Sequence, residues 1–173
     1  MNPLLDTLAW QFRMTWSLAE HYLPHLTDEL CTWMPAPSAF TVRLDEGGTW
    51  VPDWSKDETY PPPTVSIAWS TWHIQWWWTS ALAAARAEAI PERESVPWSG
   101  TADGVRAELT RLAAEWRGLV ADLSDDDLER PVAFPWPEPR PLRMMVAWVN
   151  SELMKNIAEI GDAVRQYHAT RQK

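Results

Sequence analysis

The sequence contains a single cysteine, Cys31, so no disulfide bond can form within the chain. This favours a reducing compartment. The first residues show neither a basic region nor a cleavable apolar segment, and we therefore expect a cytoplasmic protein. Basic residues are also few: 15 lysines and arginines stand against 24 acidic residues, which gives a net charge of -9. Because no basic stripe is present, the sequence argues against a nucleic-acid partner.

Charge is absent altogether from residues 59–85, a run long enough to cross a bilayer. Three prolines open the run, and hydroxyl, amide and imidazole side chains are spread along it, which would make a poor membrane helix. The pattern therefore favours a helix buried on several faces of a soluble bundle, with no membrane partner. Glycine is also scarce, at 6 residues, whereas 15 prolines and 14 tryptophans are unusually many.

Apolar residues recur at helical spacing in four segments, which predict long helices at about residues 3–23, 64–87, 101–123 and 142–168. Thr27 and Ser124 are typical N-caps of two further short helical turns. Only residues 40–44 alternate like a strand, and only weakly. We therefore predict an all-α four-helix bundle with long crossover loops, formed by one domain over residues 1–173.

A long proline-rich segment, residues 35–63, connects the first half of the chain to the second long helix. Loops of this length within a compact domain are uncommon and are often functional. We expect this one to pack over one end of the bundle through its four aromatic residues: Phe40, Trp50, Trp54 and Tyr60.

The last helix has a polar stripe directly beside its apolar stripe. Glu152, Asn156 and Glu159 are spaced four and three residues apart, so their side chains point to the same side of the helix. One interpretation is structural, since polar residues at the edge of a core often only cap or bond to neighbours. The other is a binding or catalytic site.

His73 lies in the same relation to the apolar stripe of the second long helix, with tryptophans one turn away on either side. A histidine among aromatic residues is often a core residue whose hydrogen bonds are satisfied. Helical bundles also build metal sites from histidine and carboxylate side chains on facing helices. Imidazole and carboxylate are both ordinary metal ligands.

Several segments, in this order and spacing, resemble the DinB/YfiT-like superfamily. They cover nearly the whole chain: residues 26–30 with 35–37, 61–74, 123–132 and 148–161. The resemblance implies a four-helix bundle with two long crossings, often a homodimer. It also implies a divalent metal, commonly zinc or nickel, held by three histidines. Relatives include thiol-dependent transferases and a mycothiol-dependent maleylpyruvate isomerase.

Carried over by position, the metal ligands implied by the resemblance fall on His73, Glu152 and Asn156. Glutamate at the first position of the last helix occurs in the isomerase-like branch. Asn156 departs from the pattern, because a neutral amide oxygen is a poor ligand for zinc or nickel. Glu159, one turn further along, is the alternative third ligand, and Lys155 would repel a metal if it faced the site.

Two functions therefore remain open. The first is a transferase, hydrolase or isomerase with a degenerate metal site, dependent on a divalent metal or a low-molecular-weight thiol. The second is a metal-free, non-catalytic bundle that binds a small molecule or serves a structural role as a dimer. The residues expected to line its pocket are Trp69, Trp72, Trp76 and Trp77. Core packing and dimer contact are the other explanation of these tryptophans.

Overall fold

The computed structural model describes residues 2–55 and 59–171. Its helices and strands, in chain order, are α1 (Pro3–Tyr22), α2 (Asp28–Thr32), β1 (Val42–Leu44), β2 (Trp50–Pro52), α3 (Ile67–Ala85), α4 (Ala102–Ala121), α5 (Asp125–Glu129), β3 (Pro131–Val132), β4 (Arg140–Pro141) and α6 (Leu142–Arg171). Single 3-10 turns lie at Leu23–His25 and Arg93–Ser95.

The helices begin where side chains cap free backbone amides. Ser66 accepts a hydrogen bond from the backbone N–H of Trp69, so α3 begins at Ile67, three residues later than predicted. Thr101 caps α4 in the same way, and Ser124 forms a reciprocal capping box with Asp127 at the start of α5. Each of these caps satisfies amides that have no partner within the helix.

The four long helices form a bundle in which α6 packs against α1 and α3, and α4 packs against the same two helices. Going round the bundle, the order is therefore α1, α6, α3, α4. Residues 23–66 join the diagonal pair α1 and α3, and residues 122–141 join the diagonal pair α4 and α6. The all-α bundle with two long crossings is thus confirmed. None of the helices within the described residues is long and apolar enough to cross a membrane.

The long segment before α3 contains a β-hairpin, whose first strand lies within the weakly alternating residues 40–44 and whose second strand the sequence pattern did not reveal. Val42–Leu44 pairs antiparallel with Trp50–Pro52, and three-residue strands are too short to show a clear alternation. The Asp45 carboxylate accepts hydrogen bonds from the backbone N–H groups of Gly47 and Thr49 and so closes the turn. Gly48 adopts a positive φ of 79° there, which suits glycine.

This segment packs against the side of α3 near its N-terminal half. Phe40 and Trp54 contact the Trp69 ring at 6.4 and 6.2 Å between centroids, and the Trp69 indole N–H donates to the carbonyl of Asp53 at 2.8 Å. Trp50 instead packs edge-on against Trp98, which lies in the loop between α3 and α4. Tyr60 is almost fully exposed, and residues 56–58 of the predicted loop lie outside the described residues.

Three further tryptophan indole N–H groups form hydrogen bonds around α3, a helix that contains no aspartate, glutamate, lysine or arginine. Trp72 donates to the carbonyl of Val96, and Trp98 donates to the Thr71 hydroxyl. Trp77 donates to α6, as described below. Because α3 is covered by α4, by α6 and by these loop segments, a charged side chain on most of its faces would be buried without a partner.

Candidate functional site

His73 ends a stack of three aromatic rings on the outer side of α3. Its imidazole lies 4.9 Å from the Trp69 ring with an interplanar angle of 15°, and Trp54 stacks on Trp69 at 6.2 Å and 16°. The one-turn spacing of Trp69 and His73 on α3 aligns their rings. Trp54 comes from the loop and was not among the predicted site residues, since no helical spacing links it to them.

The His73 ring is half-buried, and its Nδ1 atom is buried without a hydrogen-bond partner within the described residues. Burial, followed by the positive charge of Lys155, lowers the pKa of His73 to about 3, while the nearby Asn156 amide acts in the opposite direction. The imidazole is therefore neutral at physiological pH. A neutral imidazole can donate from one nitrogen and accept at the other.

Asn156 is completely buried between α6 and α3, and both ends of its amide are engaged. Its Oδ1 accepts a hydrogen bond from the Trp77 indole N–H at 3.0 Å, and its Nδ2 donates to Glu159 Oε2 at 3.1 Å. These two partners fix the orientation of the amide. The structure therefore brings His73, Asn156 and Glu159 into one neighbourhood.

Glu152 lies on the same stripe but forms an ion pair with Lys155, whose Nζ is 2.5 Å from Glu152 Oε1. The side chain of Glu152 is 17% exposed and that of Lys155 is 52% exposed. Lys155 thus places a positive charge near both Glu152 and His73.

A cleft of about 1090 Å³ opens beside Glu159, between α6 and the long segment before α3 (the loop segment). Its apolar wall includes Phe40, Trp54 and Trp69, and its polar wall on α6 is formed by Lys155, Glu159, Asp162 and Gln166. Trp69 therefore separates the cleft from His73, on which it stacks.

The other predicted pocket tryptophans lie elsewhere. Trp72 and Trp77 are buried at 0% and 1% exposure. Trp76 is half-buried and stacks on Trp72 at 6.0 Å, with Trp54 edge-on at 5.6 Å. Cys31 is also buried, and burial raises the pKa of its thiol to about 12, so it is a poor nucleophile.

These residues do not fit a zinc or nickel ion as they are arranged. The Asn156 oxygen is already bonded to Trp77, and the Glu152 carboxylate is paired with Lys155. Among the described residues, no group of three histidine, cysteine, aspartate or glutamate side chains is placed to hold a metal. A catalytic zinc ordinarily needs three good protein ligands.

The protein is therefore a helical bundle with two diagonal crossings. Its His73 lies on α3, close to the polar stripe of the last helix, α6. Residues 11–160 match the model of the DinB superfamily, and the chain belongs to that superfamily. The crystal structure of a conserved protein from Enterococcus faecalis has a similar fold, with a TM-score of 0.66 over 96% of this chain and 97% of that one. The two sequences are 10% identical. No curated protein matches the chain.

The depressed pKa of His73 gives a pH-dependent contribution to stability. In the unfolded chain the imidazole takes up a proton near pH 6.5, whereas the folded protein does so only near pH 3. The free energy of unfolding should therefore fall as the pH drops from 6.5 towards 3, by at most about 1.4 kcal/mol per pH unit from this group.

Urea denaturation of wild type and His73→Phe between pH 7 and pH 4 measures this contribution. The two proteins differ only at residue 73, so the difference between the two profiles isolates the contribution of His73. His168→Phe, which removes an exposed imidazole from α6, should keep the wild-type profile. Parallel profiles for wild type and His73→Phe would contradict a neutral His73.

Proposed function

We propose that this protein binds a small molecule in the cleft between the loop segment and α6, without a metal. The metal-free part of this proposal is supported most directly by the Asn156 amide, whose two ends are bonded to Trp77 and Glu159. This leaves the family's third ligand position engaged in the protein's own hydrogen bonds. Pockets with mostly apolar walls and a few polar groups suit small ligands.

The walls of the cleft indicate the chemistry of the ligand. Trp54 and Trp69 offer flat aromatic surface, which favours a planar or aromatic molecule. The α6 wall contains two carboxylates, Glu159 and Asp162, and one amine, Lys155, which is already paired with Glu152. Asp162 is in turn paired with Arg165 at 3.1 Å. Glu159 has no cationic partner among the described residues, so it favours a ligand with a donating or positively charged group.

Tryptamine and indole-3-acetate test this proposal, because they share an aromatic ring and differ in the sign of their charge. We expect tryptamine to bind at least about tenfold more tightly, the difference that one charge-assisted hydrogen bond of about 1.4 kcal/mol provides. Isothermal titration calorimetry measures both affinities.

Glu159→Gln should remove most of this preference while keeping the shape of the cleft. Glu20→Gln, an exposed neutralisation on α1, is the matched control and should leave the preference unchanged. Equal affinity for the two probes, or a preference that survives in Glu159→Gln, would contradict the proposed ligand chemistry.

A second candidate is the metal- or thiol-dependent transferase, hydrolase or isomerase expected from the resemblance. One observation favours it: among the described residues, His73 Nδ1 has no hydrogen-bond partner, and an imidazole nitrogen is an ordinary metal ligand. This candidate requires Lys155 to release Glu152, and Asn156 to exchange Trp77 for a metal. Stoichiometric zinc or nickel in the purified wild-type protein would support it.

The cytoplasmic location, the single domain and the homodimer expected from the sequence are kept as part of the proposal. For the dimer, exposed apolar side chains offer some support. Trp10 and Met14 lie one turn apart on α1 and are 56% and 52% exposed. On the neighbouring helix α6, Met144 and Met154 are each 39% exposed. Light scattering measures the oligomeric state directly.

A further inference from the structure

A second cavity, of about 560 Å³, lies on another side of the bundle, between α1 and α4. It shares no lining residue with the cleft described above. Val146 and Asn150 of α6 also line it, so the cavity extends inward from between α1 and α4 as far as α6. Its apolar wall is formed mainly by Leu5, Leu8, Phe12, Trp116, Val120 and Val146.

Two of the residues that line this cavity have unsatisfied polar atoms. Trp116 and Asn150 are each 1% exposed. Within the described part of the chain, the Trp116 Nε1–H has no acceptor and Asn150 Oδ1 has no donor. Buried polar atoms are nearly always paired in folded proteins, so two unpaired atoms of opposite kind on residues that line one cavity call for an explanation.

The orientation of the Asn150 amide is set by its other end. Its Nδ2 donates to the carbonyl of Leu8 at 2.9 Å and to Gln11 Oε1 at 3.1 Å. Rotating the amide by 180° would place Oδ1 against two acceptors and lose both bonds. The unpaired atom of Asn150 is therefore an acceptor, and that of Trp116 is a donor.

Charged residues of both signs surround the cavity. Asp6 and Asp125 are opposed by Arg13 and Arg117, and Asp125 also accepts a hydrogen bond from Asn2 at 2.5 Å. Equal numbers of acidic and basic groups give no net attraction for an ion of either sign. This balance favours an uncharged ligand.

We propose that this cavity is a second small-molecule site, which takes an uncharged, mostly apolar molecule bearing one amide or hydroxyl group. The apolar wall binds the body of the ligand, the Trp116 N–H donates to its oxygen, and Asn150 Oδ1 accepts from its N–H or O–H. The volume lies within the range of small-molecule pockets.

Benzamide and toluene test the proposal, since they share a phenyl ring and only benzamide has both a donor and an acceptor. We expect saturable binding of benzamide, followed by the indole N–H resonances in ¹H–¹⁵N spectra, and binding of toluene weaker by roughly tenfold. The resonance that disappears in Trp116→Phe is that of Trp116, and it should be among those that shift with benzamide.

Trp116→Phe keeps an aromatic ring and removes the donor, so it should weaken benzamide binding by roughly tenfold and leave toluene binding nearly unchanged. Trp78→Phe is the matched control. The indole N–H of Trp78 is likewise buried without a partner among the described residues, but Trp78 does not line the cavity. Trp78→Phe should change benzamide binding by less than about twofold.

A third variant, Ala9→Phe, places a large side chain on the α1 wall of the cavity and should abolish binding of both probes. It keeps the test decisive if Trp116→Phe does not fold. The proposal is overturned if benzamide does not bind saturably, if toluene binds as tightly, or if Trp78→Phe and Trp116→Phe weaken binding equally.

Discussion

Replacing Asn156 with histidine is expected to raise the affinity of the protein for zinc well above that of the wild type. The new imidazole would lie one turn after Glu152 on the same side of α6 and close to His73, the ring whose pKa responds to the Asn156 amide. Two imidazoles and a carboxylate form an ordinary zinc ligand set. We expect Asn156→His to bind zinc at least about a hundredfold more tightly than wild type, since even residues that only orient a ligand contribute about 10–100-fold.

Lys155 opposes this gain because it pairs with the Glu152 carboxylate. The double variant Lys155→Ala/Asn156→His should therefore bind zinc more tightly than Asn156→His alone. Titration calorimetry with zinc, and separately with nickel, measures these affinities, and elemental analysis of the purified wild type supplies the baseline.

The chain offers a matched control for this substitution. Asn150 is on the same helix and is also buried, but its amide bonds to Leu8 and Gln11 rather than to Trp77 and Glu159. Asn150→His should gain no zinc affinity. If Asn156→His and Asn150→His behave alike, the cluster of His73, Glu152 and residue 156 is not a latent metal site. If the wild type itself binds one zinc at micromolar concentration, the metal-free proposal fails.

Much of the bundle could be predicted from the sequence because it depends on local rules. Helical spacing located the four long helices, and the capping residues Thr27 and Ser124 marked the starts of the short helices α2 and α5. The adjacency of His73 and the α6 stripe could also be anticipated, since both border an apolar stripe that must face the core. These features need only the periodicity of the helix.

The direction in which each polar group points could not be predicted in this way. Spacing places Glu152 and Asn156 on one side of α6, but it does not show that Lys155 reaches back to Glu152 or that Trp77 donates to Asn156. The position of Trp54 depends on how a loop folds over α3. Such contacts are set by tertiary packing between segments far apart in the chain, of which a single sequence gives no periodic signal.

Truncation of Asn156 to alanine is expected to lower the free energy of unfolding by about 2–4 kcal/mol, which combines a small cavity with an unsatisfied buried indole N–H. The side chain is completely buried and is the acceptor for Trp77, which is itself 1% exposed. Glu159 also loses a donor, although it is more accessible to water. Urea denaturation of the two proteins at pH 7 measures the difference.

A double-mutant cycle distinguishes the hydrogen bond from the loss of packing. Trp77→Phe removes the indole N–H, so in that background Asn156→Ala no longer leaves the donor unpaired and should cost less by about 1 kcal/mol or more. Trp98→Phe is the control, because its indole bonds to Thr71 and not to Asn156. The effects of Asn156→Ala and Trp98→Phe should add within about 0.5 kcal/mol. If the effects of Asn156→Ala and Trp77→Phe also add, the hydrogen bond between these two side chains does not stabilise the contact of α3 with α6. The Asn156 oxygen would then be available as a metal ligand.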